Sequence, residues 1–208
     1  MLGFPISFKL NRLILLFFVC QYPTVKSPLM LLIFPILATL PLQAGGFSQK
    51  LKMNGLSFTI SSPNKAEGNT VTIKPHGLKN GDAPITQSIE GLVSKVEIAD
   101  LDGDGSSELF VYTVSPGSGS YGKAYAWSTN GKKVLTDIFI RPPAEKDLWG
   151  YMGHDEFAVI ESSFARRFPV YKKGDPNSSP TGGWRQFQYK LKPGEAGWVL
   201  QIKRVESF

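Results

Sequence analysis

Between Gly55 and Arg204 the apolar period is mostly two, and this is what most restricts the fold. "GLSFTIS" and "NTVTIKP" alternate. "LVSKVEIAD", "ELFVYTVS", "KAYAWST", "KVLTDIFI", "DEFAVIES", "RRFPVY", "RQFQYKLK" and "AGWVLQIKR" follow, rich in branched and aromatic residues. Successive side chains of a strand point to opposite faces, so such runs make strands rather than helices. Turn residues separate them. Asn130-Gly131 is the clearest, since both tolerate the positive φ of a type I′ hairpin turn, and it joins "KAYAWST" to "KVLTDIFI". Only "PPAEKDLWGYM" has helical character. Ten short strands and one short helix predict an all-β protein, an antiparallel β-sandwich or flattened barrel. "KKGDPNSSPTGG" reads as a long polar loop within the domain, because strands follow it.

Residues 1–44 have a different character. They hold Lys9, Arg12 and Lys26 and no acidic residue. Their two apolar runs, "LILLFFVC" and "LMLLIFPILATL", fall short of the ~18 uninterrupted apolar residues of a membrane span. A basic start, a short apolar core and small Ala44 before Gly45 have the form of a secretory signal cut after Ala44. The first apolar run is then redundant, which points to a true start near Val25 or Met30. The expectation is a signal region over 1–44, a single domain over 45–208 and an extracytoplasmic location.

Removing 44 residues leaves 164, enough for one domain with a substantial core. The formal charge falls from +6 to +3, because three of the 23 Lys and Arg leave while all 17 Asp and Glu stay. That excess is too small and scattered to argue for nucleic acid. "ARRF" and "YKK" read as solvated basic clusters. The single cysteine, Cys20, lies in the removed part, so the domain has neither a disulfide nor thiol chemistry and must hold together by packing.

"SPGSGSYGKAYAW" (115–127) offers more than one chemistry. Gly117, Gly122 and Lys123 have the G-x-x-x-x-G-K spacing of a phosphate-binding loop. Such a loop continues with Ser or Thr and opens a helix. Here Ala124 follows and "KAYAWST" alternates like a strand, which argues against a nucleotide site. A serine hydrolase is also disfavoured. The G-x-S-x-G elbow fails at Ser118, which has Pro116 two residues before it, and at Ser120, which has Ser118 there. His76 and His154 lie in no recognisable catalytic setting, and two histidines without cysteines make a poor zinc site. The chain reads as non-enzymatic. What the loop can offer is hydroxyls, backbone N–H groups and one aromatic face, suited to another protein's polar cleft. The plainer alternative is a flexible hairpin tip.

"DLDGDGSSEL" is the second constellation. Asp100, Asp102 and Asp104 alternate around glycines, and Glu108 follows, an oxygen set that suits calcium. The twelfth position, which a helix–loop–helix calcium site fills with Glu, is Val111. The alternative is a hairpin whose Asp side chains bond the turn's own N–H groups.

Ser118-Gly119-Ser120-Tyr121, after "ADLDGDGSSELFVYT", resembles the S-G-x-Y loop of the periplasmic inhibitors of invertebrate-type lysozyme. "GYMGHDEFAVIE", "RRFPVYKKGDPNSSPTGGWRQFQYKL" and "GEAGW" resemble that family too, so the likeness covers most of residues 90–200. It implies a β-sandwich in the periplasm that inhibits a lysozyme by inserting a loop into its substrate cleft, with Ser118 and Tyr121 at the two motif positions. Gly119 and Ser120 complete the expected contact, and Lys123 is placed to face acidic groups around the cleft. No cofactor is implied, and a homodimer is left open. A calcium-dependent envelope-binding or adhesion module, built on Asp100, Asp102, Asp104 and Glu108, is the alternative function.

Overall fold

The computed structural model describes residues 45–208; the expected signal region lies outside the described residues. Four strands, β1 (Phe47–Met53), β2 (Leu56–Ser62), β3 (Thr70–His76) and β4 (Ile85–Ser88), form an antiparallel sheet in chain order. The other eight are β5 (Leu92–Ala99), β6 (Glu108–Val114), β7 (Gly122–Ser128), β8 (Thr136–Ile140), β9 (Glu156–Ile160), β10 (Ser163–Pro169), β11 (Trp184–Pro193) and β12 (Trp198–Ser207). They pair in the order β5-β6-β7-β8-β12-β11-β10-β9. This sheet curls until its ends meet: the Val159 N–H of β9 donates to the Glu97 carboxylate of β5 at 2.9 Å. The result is a nearly closed barrel with the smaller sheet against one side.

Two apolar cores follow. Inside the barrel Phe110, Tyr112, Phe164, Phe168, Phe187, Tyr189 and Leu200 are buried together. Phe110 and Phe164 stack at 5.3 Å between centroids, with planes 8° apart. Outside, Leu109, Val111 and Trp127 meet Leu56, Phe58, Ile60, Val71 and Ile73 of the small sheet. Strand β6 therefore buries both faces, which explains why "ELFVYTV" is nearly continuous in apolar residues. Each fully buried side chain of this size contributes about 1.5–3 kcal/mol.

The all-β class stands, with corrections. Twelve strands are present among the described residues. The two that the pattern missed, β1 and β4, contain no fully buried residue, and β4 is only four residues long with one apolar side chain. One pair, β8 with β12, is parallel. "PPAEKDLWGYM" holds only a four-residue 3-10 turn, Glu145–Leu148, with no buried residue to anchor a longer helix. Asn130 and Gly131 have the expected positive φ, 47° and 68°, but β8 starts only at Thr136. The Asn130 side chain fills this wider connection, donating to Thr136 Oγ1 at 2.7 Å and accepting from Trp198 Nε1 at 2.9 Å. The "ARRF" cluster is not a solvated face. Arg166 pairs with Asp155 at 2.7 Å, and Arg167 pairs with Glu156 and lies over Trp184.

Candidate functional site

Ser115–Tyr121 connects β6 to β7. Its base is closed by two bonds: Ser115 N donates to Tyr121 O at 2.8 Å, and Tyr121 N to Ser115 Oγ at 2.9 Å. Between them Ser120 N reaches back to Gly117 O at 3.2 Å, with Ser120 at φ 43°. This tight reversal presents Ser118 and Tyr121 outward, with Gly119 and Ser120 partly covered. Tyr121 is 50% exposed. Neither the Ser118 nor the Tyr121 hydroxyl is engaged by another described residue. Lys123, already on β7, pairs with Glu90 at 2.6 Å in an exposed ion pair. The G-x-x-x-x-G-K spacing thus runs into a strand.

The loop packs on other parts of the chain. A second segment, 150–155, underlies it. His154 N donates to Gly119 O at 2.8 Å. Asp155 takes the Gly122 N–H at 2.8 Å, at the point where the loop re-enters the sheet. Tyr151 meets the Tyr121 ring edge-on, and its hydroxyl donates to Asp155 at 2.5 Å. Burial and the Asp155 charge raise the Tyr151 phenol well above its ordinary range. From the polar loop, Asn177 Nδ2 donates to Ser118 O at 2.7 Å. His154 is structural: its ring stacks on Tyr171 and its Nε2 faces Asn177 Oδ1. Sequence reasoning gave these residues no role. The glycines of "GYMGHD" were the available signal.

The acidic turn lies between β5 and β6. Asp100 accepts from Gly103 N at 2.8 Å and Gly105 N at 3.0 Å. Glu108 accepts from Leu101 N at 2.9 Å and Ser128 Oγ at 3.0 Å. Asp100, Asp102 and Glu108 bring oxygens within 4.8 Å of one another, close enough for a cation. Asp104 does not join them; it caps Ser106 N at 2.6 Å. Most of these oxygens already accept the turn's own donors, so a cation would compete with those bonds. Glu108 is buried, and desolvation pushes its carboxyl up to about 7. Partial burial and the neighbouring Asp104 charge raise Asp102 as well.

No curated protein and no solved structure matches the chain. One family model does, described as periplasmic lysozyme inhibitor of I-type lysozyme, over residues 82–147. That span holds the acidic turn, the Ser118–Tyr121 loop and Lys123, and stops before the 150–155 segment. Across strands β4 to β8, and in the loop between β6 and β7, the chain is similar to the I-type lysozyme inhibitor family.

Proposed function

We propose that this protein is a periplasmic, non-enzymatic inhibitor of invertebrate-type lysozyme that inserts the Ser118–Tyr121 loop into the enzyme's substrate cleft. One observation carries the loop's role: two unengaged hydroxyls stand on a tip whose backbone is tied at both ends. The family match over the same residues supports the choice of partner. A lysozyme cleaves with two carboxyl groups flanking the sugar bond. Hydroxyls of Ser118 and Tyr121 donate to those carboxyls as the sugar's hydroxyls would, in charge-assisted bonds stronger than neutral ones. The tyrosine ring supplies contact area at low entropic cost. Lys123 takes part by exchanging Glu90 for an acidic group at the cleft's rim. The test is a turbidity assay of an invertebrate-type lysozyme on cell walls, with and without the purified protein. Undiminished lysis at excess protein overturns the reading.

The second reading, a calcium-dependent envelope-binding module, rests on the convergence of Asp100, Asp102 and Glu108. It takes precedence if the protein adheres to cell envelopes only when calcium is present and no lysozyme is inhibited.

A further inference from the structure

The tightest packing around the loop lies beneath it. Gly153 has φ 93°, and a Cβ at that position would overlap the Gly119 carbonyl oxygen. The two chains can approach this closely only because residue 153 has no side chain. The neighbouring His154 takes φ 57°, an uncommon conformation for a residue with a side chain, and Ser120 across the contact takes 43°. Below them sits Asp155, whose side chain is 0% exposed. Its carboxylate collects three donors: Gly122 N of the loop's exit, the Tyr151 hydroxyl and Arg166 Nε. The Arg166 guanidinium lies over the Tyr151 ring at 5.0 Å, while Tyr151 packs on Phe168 at 4.6 Å and meets Tyr121 at 5.6 Å. A buried ion pair thus orients one tyrosine, which in turn orients the exposed one.

We propose that Gly150–Asp155 is a cradle that sets the binding shape of the Ser118–Tyr121 loop, with Gly153, Tyr151 and Asp155 as positioning residues for inhibition. The proposal rests on the reading of that loop as the lysozyme-binding element. None of the three needs to touch the lysozyme. They act by holding the loop in one conformation before the encounter, so that ordering it costs little on binding. A looser loop binds more weakly in proportion to the fraction of time spent in the competent shape.

Inhibition constants against an invertebrate-type lysozyme, thermal melts and amide exchange at Gly122 are measured for four variants. These are Gly153→Ala, Tyr151→Phe, the Ser118→Ala/Tyr121→Ala double variant, and Gly153→Ala in a Tyr121→Ala background. Gly153→Ala is expected to weaken inhibition at least about tenfold, since it lifts Gly119. Tyr151→Phe keeps the ring and removes one bond to a carboxylate, so roughly threefold to tenfold is expected, with faster exchange at Gly122 and a melting temperature within a few degrees. In the Tyr121→Ala background the Gly153→Ala effect should largely vanish, because residues that act through one another are not additive. Asp155→Asn would leave Arg166 buried without its carboxylate and endanger the fold, so it is not the primary probe. If Gly153→Ala fails to fold, Tyr151→Phe decides alone. Wild-type inhibition by both Gly153→Ala and Tyr151→Phe, with the Ser118→Ala/Tyr121→Ala variant inactive, overturns the cradle and leaves the loop. A full Gly153→Ala effect in the Tyr121→Ala background also overturns it. Wild-type inhibition by the Ser118→Ala/Tyr121→Ala variant overturns the loop reading itself.

Discussion

Tyr121 stands edge-on to Tyr151, their ring centroids 5.6 Å apart and their planes at 81°. Part of Tyr121 is thereby covered while half of its surface remains exposed. In the proposed function this half-exposed aromatic is the loop's main contact with the lysozyme. Tyr121→Ala should weaken inhibition at least about thirtyfold, the ~2 kcal/mol of a central interface anchor. Ser118→Ala removes a single hydroxyl and should cost ~1.5–3 kcal/mol if that hydroxyl meets an ionised carboxylate. Both variants should melt within a few degrees of the wild type, because exposed loop positions bury little. Inhibition constants beside thermal melts check this; wild-type inhibition by both variants counts against loop insertion.

Lys123→Ala removes an ion pair with Glu90 whose partners are 51% and 77% exposed. Pairs of that exposure contribute ~0–1 kcal/mol, so the melting temperature should hardly move. Its effect should appear in the rate of association with the lysozyme. That effect should shrink as salt rises, since screening shortens the reach of the charge. Stopped-flow association at low and high ionic strength is the measurement, and a salt-independent effect would place Lys123 in direct contact instead.

Glu108 makes stability depend on pH. Burial holds its carboxyl at about 7 in the folded chain, against 4.5 ordinarily. Between those values the folded state keeps a proton that the unfolded state has released. The stabilising contribution is therefore full below about 4.5 and is lost as pH rises through about 7, to the extent of at most ~3 kcal/mol. In EDTA, the melting temperature at pH 5.5 should exceed that at pH 7.5. Glu108→Gln should flatten this difference, because glutamine keeps the acceptor for Leu101 N and has no proton to lose. An unchanged pH profile in Glu108→Gln would show that another group is responsible.

Removal of calcium should leave the fold intact. The Asp100 carboxylate is already satisfied by Gly103 and Gly105, and Glu108 by Leu101 and Ser128. The expected outcome is the same melting temperature and the same inhibition in EDTA and in millimolar calcium. A large fall in EDTA that calcium reverses would assign a structural ion to Asp100, Asp102 and Glu108.

The barrel's interior should be the least tolerant region. Phe110 stacks on Phe164 at 5.3 Å and on Tyr112 at 6.3 Å, with no exposure. Phe110→Ala should cost ~3–5 kcal/mol, read as a lower denaturation midpoint with inhibition lost only where the protein unfolds.

Alternation along the chain determined which segments are strands, because a half-buried strand repeats its environment every two residues. Local chemistry was legible too. The Asp100 and Asp104 carboxylates cap amides within five residues, so the acidic turn follows from its own sequence. The Ser118–Tyr121 loop was legible as a short polar link between two strong strands. Pairing partners were not. A period of two does not say which strand lies alongside, and only the assembled sheet decided that β8 runs parallel to β12 and that β9 returns to β5. Glu108 was legible as a candidate cation ligand, but its burial was decided only by the fold. The loop's support was equally hidden. Gly122 meets Asp155 across 33 residues, and Ser118 meets Asn177 across 59. Hydrogen bonds at such separations leave no periodic trace in the sequence, because they depend on where the barrel brings distant turns together.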